Sequence, residues 1–221
     1  MTKWLVLLGL IVKVIMGAPA YAEQNPPESV DPNDRLPPWS VMLYRGWTST
    51  LTIWETFRFH YESANEDLYS AELAYRFAPD NLLSRAASYV WAKVEAAGNV
   101  TYRDQKGDGL GSITEVNAYI VLRWQNFPWN RFVPTSFAAG EGLSYAASIP
   151  QVEITDASGE DYDPKRLLNY LMFEATVAYP SFPRLQLVGR IHHRSGAFGA
   201  YGAGNAGSNT VGVGIRYYFD F

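Results

Sequence analysis

Residues 189–197 read GRIHHRSGA. They place two histidines and a serine within four positions, the side chains of a general base and an oxygen nucleophile. In an extended strand, residues i and i+2 share a face and lie ~6.6 Å apart. His193 and Ser195 therefore project to one side, and an imidazole can bridge that gap to a hydroxyl. His193 could then accept the Ser195 proton as the oxygen attacks a carbonyl. His192 projects to the opposite face. Adjacent strand residues diverge, so His192 and His193 do not form a metal site. The chain has no cysteine, which removes thiol nucleophiles, disulfides and thiolate metal sites. No cofactor is expected. His-x-Ser is also a common coincidence, and the plainer reading is a polar rim where a strand leaves apolar surroundings.

The elements that position these residues alternate with period two. In the final residues, VGVGIRYYFDF, Val211, Val213, Ile215, Tyr217, Phe219 and Phe221 form one face, and Gly212, Gly214, Arg216, Tyr218 and Asp220 the other. The same pattern runs through 69–77, 113–124 and 167–179, and stretches near 40–48, 88–97, 136–148 and 184–195 complete eight strands. Each is close to the ~9–11 residues a tilted strand needs to cross a bilayer. The polar connections 49–68, 98–112, 149–166 and 196–208 sort to one end, and 78–87, 125–135 and 180–183 to the other, as long outer loops and periplasmic turns do. The expected fold is all-β, an eight-stranded antiparallel transmembrane β-barrel over residues 39–221. Its lumen should hold Glu72, Arg76, Glu115, Arg123, Glu174, Arg190 and Arg216, which pair and fill a barrel of this size. By the same alternation, His193 and Ser195 continue the lipid-facing row.

The start of the chain sets the compartment. Lys3, the apolar run Trp4–Val12 and the small-residue pattern Ala20-Tyr21-Ala22 predict a signal peptide over residues 1–22. Residues 23–38, EQNPPESVDPNDRLPP, hold five prolines and are expected to form an extended tether. The expected location is the bacterial outer membrane. Formal net charge is −4, so no polybasic face is expected and nucleic acid is excluded as a partner. Gly202-Ala-Gly204-Asn-Ala-Gly207 matches a dinucleotide-binding fingerprint, but a Gly-rich strand follows where that motif needs a helix. Asp104-Gln-Lys-Gly-Asp108-Gly109 suggests a calcium loop, but Lys106 occupies a ligand position. Asn99-Val-Thr101 is a glycosylation pattern without use in a bacterial outer membrane.

With His-x-Ser at the outer end of the seventh strand, the chain resembles the outer-membrane lipid A deacylases of the PagL type. The specific likeness spans Arg190-Ile-His-His-Arg-Ser-Gly196, Gly207-Ser-Asn209 and Gly214-Ile-Arg-Tyr-Tyr-Phe219. It implies an esterase that removes an ester-linked acyl chain from lipid A in the outer leaflet, with Ser195 as nucleophile and His193 as base. Two departures stand out. The family places Asn directly after the nucleophile, where this chain has Gly196; a Gly196 N–H or the Asn209 side chain is expected to replace it as oxyanion donor. The family's orienting Glu has no counterpart in residues 196–209, which leaves Glu153, Asp156, Glu160, Asp161 and Asp163 as candidates. The alternative is a non-catalytic small barrel that binds lipopolysaccharide or is structural. A palmitoyl transferase is disfavoured, because it needs an open interior pocket where this lumen is charged.

Overall fold

A computed structural model describes residues 32–155, 163–204 and 206–221. Eight strands form one closed antiparallel barrel: β1 Trp39–Ser49, β2 Ser63–Arg76, β3 Lys93–Gln105, β4 Ile113–Trp124, β5 Thr135–Ala146, β6 Leu167–Tyr179, β7 Phe182–Ser195 and β8 Gly207–Phe219. Each strand pairs with its sequence neighbour, and β1 closes on β8 through Trp39 to Ser49. No sheet edge remains open, so every strand can satisfy its backbone hydrogen bonds within the barrel, as a hydrocarbon environment demands. Among the described residues no helix is long and apolar enough to cross a membrane. Among the described residues three short α-helices decorate the ends: α1 Ile53–Phe57, α2 Leu82–Ser88 and α3 Gln151–Thr155.

Alternation decides which side chains enter. Val41, Leu43, Leu73, Val100, Val116, Ile120, Leu187 and Ile215 are large apolar residues left exposed on the outer wall. In water such a band would be a liability; against lipid it is the favourable surface. The inward row is polar and buried. Toward the periplasmic half, Glu174 binds Arg123 at 2.8 Å and Arg190 at 3.0 Å, and Glu72 binds Arg216 at 2.8 Å. Glu95 binds Arg123 at 3.0 Å. Toward the outer half, Arg103 binds Glu66 at 3.0 Å and Glu115 at 2.6 Å. α3 turns Glu153 into the outer mouth, 2.9 Å from Arg194. All seven charges expected in the lumen are there, joined by Glu66, Glu95, Arg103, Glu153 and Arg194.

Two strands differ in their bounds from expectation. β3 runs Lys93–Gln105 rather than near 88–97, because α2 and its following turn occupy 82–92. Asn99, Thr101 and Arg103, polar enough to suggest a loop, are inward residues of a polar lumen. β2 begins at Ser63, six residues before its apolar alternation starts, for the same reason: Glu66 faces inward and pairs with Arg103. The proposed leader over residues 1–22 and the first part of the proline-rich segment lie outside the described residues. The end of that segment is docked. Pro32–Arg35 forms a 3₁₀ turn, and the Asn33 amide donates to the Thr135 carbonyl at 3.1 Å. Gln125 donates back to the Asn33 carbonyl at 3.1 Å, and Leu36 is buried beside it, so this turn covers the periplasmic mouth.

Candidate active site

β7 carries His193 and Ser195 to the outer end of the wall. Cross-strand register supplies their neighbours. His193 lies opposite Leu171 on β6 and Asn209 on β8; Ser195 lies opposite Asn169 and Gly207. All of these positions share the outward parity. His193 and Ser195 are half-buried, and Asn169 and Asn209 are buried although they face outward.

A hydrogen-bond chain fixes the imidazole. His193 Nδ1 lies 2.6 Å from Asn209 Oδ1. Asn209 Nδ2 donates to the Leu51 carbonyl at 2.8 Å. A carbonyl only accepts, so that contact assigns which end of the amide is nitrogen and leaves Oδ1 for the ring. Oδ1 also only accepts, so Nδ1 carries the proton and Nε2 is the basic nitrogen of the neutral ring. This is the tautomer a general base toward Ser195 requires. Among the described residues no side chain hydrogen-bonds the Ser195 hydroxyl. Catalytic hydrogen bonds commonly tighten only when substrate is bound.

The expected partners are redistributed. Glu153 is turned into the barrel, holding Arg194 and accepting from Ser208 at 2.8 Å. Asp163 is exposed and pairs with Lys165. Asp156, Glu160 and Asp161 lie outside the described residues. Among the described residues, it is Asn209 that stands at the Nδ1 side of the His193 ring, where an acid was expected. Of the expected oxyanion donors, the Gly196 N–H donates to the Ala206 carbonyl at 2.7 Å, and the Asn209 amide gives one of its two N–H groups to the Leu51 carbonyl. Directly across from Ser195 stands Asn169, its amide beside the Glu141 carboxylate. His192 faces the lumen, 2.8 Å from Glu115 and edge-on to Tyr170, and takes no part in the outward cluster.

Asn169 and Glu141 were absent from the sequence reading, yet both carry a signal. Each interrupts an apolar outward row: Asn169 precedes Leu171 and Phe173, and Glu141 stands between Ala139 and Leu143. A polar group on a lipid-facing wall is costly and so informative. The Leu51 carbonyl had no such signal, because only the folded outer loop brings it to Asn209.

The first outer loop crosses the outer wall beside this cluster, from Asn209 to Phe173. Thr52 caps α1, donating its N–H and its hydroxyl to Glu55 at 2.9 Å and 2.8 Å. These bonds hold the Glu55 carboxyl below its usual range. Phe57 ends the helix with its ring edge-on to Phe173 of β6, centroids 4.9 Å apart. Leu51–Phe57 is thus a strap from the top of β1 to the outer face of β6. Trp54, Phe59 and Tyr61 remain exposed along this loop.

No family model matches the chain, and no curated protein matches it either. Among solved structures, it is similar to the outer membrane enzyme PagL, with 12% identity, a TM-score of 0.51, and coverage of 80% of this chain and 98% of that one. It also aligns with Ail, the attachment invasion locus protein of Yersinia pestis, at 13% identity and a TM-score of 0.38, covering 83% of this chain and 100% of the other. At these identities the likeness is one of fold. The chain is an eight-stranded β-barrel of the bacterial outer membrane.

Proposed function

We propose that this barrel is an outer-membrane esterase that removes an ester-linked acyl chain from lipid A. The observation that carries the reading is the Leu51–Asn209–His193 chain, which sets the base tautomer on the lipid-facing wall two residues from Ser195. In the first half-reaction Ser195 Oγ attacks the acyl carbonyl while His193 Nε2 takes its proton. The tetrahedral intermediate collapses to an acyl-serine, and His193 returns the proton to the departing sugar hydroxyl. Water then attacks the acyl carbon, with His193 again accepting a proton, and the fatty acid leaves as Ser195 is reprotonated. Asn169 stands opposite Ser195, and its amide is the proposed donor to the developing oxyanion. No step needs a metal, so a chelator is expected to leave the rate unchanged.

The test is mass spectrometry of lipid A incubated with the folded protein in nanodiscs. Wild type should release one fatty acid per lipid, and Ser195→Ala should lose roughly 10³-fold or more of that rate. Intact lipid A with wild type would overturn the reading. One observation favours the non-catalytic alternative, a barrel that binds lipopolysaccharide or is structural: the Gly196 N–H is already engaged by Ala206. That reading predicts lipid A retention without turnover.

A further inference from the structure

We propose that Phe57 of the strap is a stop for the acyl chain and sets the chain length admitted at Ser195; the inference rests on reading Ser195 as the nucleophile. Below Ser195 the outer wall descends over His193, Ile191, Gly189 and Leu187 on β7, facing Leu171, Phe173, Ala175 and Val177 in turn on β6. An acyl chain attached at Ser195 and directed toward the bilayer centre runs down this seam. Phe57 stands across it, packed on Phe173, which lies opposite Ile191. Burial marks where the strap lies: Leu171, Phe173, Ile191 and Val211 are half-buried, whereas Leu187, Val213 and Ile215 further down are exposed.

The distance is chemically meaningful. From Ser195 to Ile191 is four residues, ~13 Å along a strand. Carbon–carbon bonds of ~1.5 Å advance an extended zigzag chain by ~1.25 Å each, so that distance is the length of roughly ten carbons. Below the stop the seam becomes shallow. Ala175 faces Gly189, and a Cβ added at Gly189 would meet nothing within 4 Å. Without the Phe57 ring, a longer chain would continue into that trough. Wild type should therefore favour chains near ten carbons, and a smaller side chain at residue 57 should extend the range.

Two measurements test this. In the first, the folded protein is given matched esters with acyl chains of 8 to 16 carbons. Phe57→Ala should raise the ratio of kcat/KM for the longest against the ten-carbon ester by roughly tenfold, the discrimination an apolar pocket can exert over a few methylenes. Phe57→Leu, which keeps an apolar contact with Phe173, should fall between. A loss of rate with an unchanged profile would mean that Phe57 only holds the strap, and would overturn the proposal. In the second, Ser195→Ala protein is equilibrated with saturated fatty acids of 8 to 16 carbons, and bound species are read by native mass spectrometry. Binding should fall beyond about ten carbons and recover in the Ser195→Ala, Phe57→Ala double variant. Equal binding at all lengths would overturn the stop even if no ester is hydrolysed; failure of hydrolysis with the length ceiling intact would count against the esterase reading alone.

Discussion

Asn209 is neutral, and this shapes what His193 can do. An acid at that position would orient the ring and also stabilise the imidazolium by charge; an amide supplies the orientation and only a dipole. The orientation depends on the Asn209 amide being held by the Leu51 carbonyl. Asn209→Leu should therefore lower fatty-acid release by ~10²-fold or more, because the ring loses its tautomer, and Asn209→Asp should lower it too, because a carboxylate cannot donate to the Leu51 carbonyl. His192 separates structure from chemistry. Its ring is enclosed between Glu115 and Tyr170. His192→Ala should leave the rate per folded molecule nearly unchanged and reduce stability by about 1–3 kcal/mol, as expected when a buried polar partner is removed. Urea unfolding alongside rate measurements checks both. The shared face of His193 and Ser195 is legible from period two alone. The role of Asn209 is not, because pairing residues 193 and 209 requires the β7–β8 register.

At the level of elements, the strap is where a local sequence signal and a distant contact meet. Thr52 and Glu55 cap a helix of one turn, too short to persist without its docking on Phe173. Glu55 has its carboxyl held below the usual range by the Thr52 bonds. A depressed carboxylate contributes its stabilisation above the unfolded pKa and loses it as pH falls through the folded one. The cap should thus survive mild acidification and fail only below the ordinary glutamate range. Thr52→Ala should fray the strap at neutral pH, seen as faster proteolysis within 50–62, with the barrel intact. Among the strands, β4 and β6 are readable to the residue because Val116, Ile120, Leu171 and Val177 alternate with polar neighbours. β3 is harder to read. Gly98, Asn99 and Thr101 look like loop residues until the polar lumen is known, and α2 occupies the stretch where the strand was expected.

The whole molecule is a barrel whose interior is held by charge. Glu174 meets Arg123, Arg190 and Arg216, so Glu174→Gln would leave three buried guanidinium groups short of an anion. A cost of about 3–5 kcal/mol is expected, read as a lower urea midpoint or a lower temperature for the heat-shifted gel band. The filled lumen and the Asn33 turn across its mouth also predict no steady conductance in planar bilayers. Catalysis, on this account, belongs entirely to the outer wall. The most direct test is to expose folded wild-type protein to a lipid-like fluorophosphonate and locate the adduct by tandem mass spectrometry. The account predicts a single adduct on Ser195, formed with loss of fluoride and abolished by His193→Ala; no adduct, or one that forms equally well without His193, would contradict it.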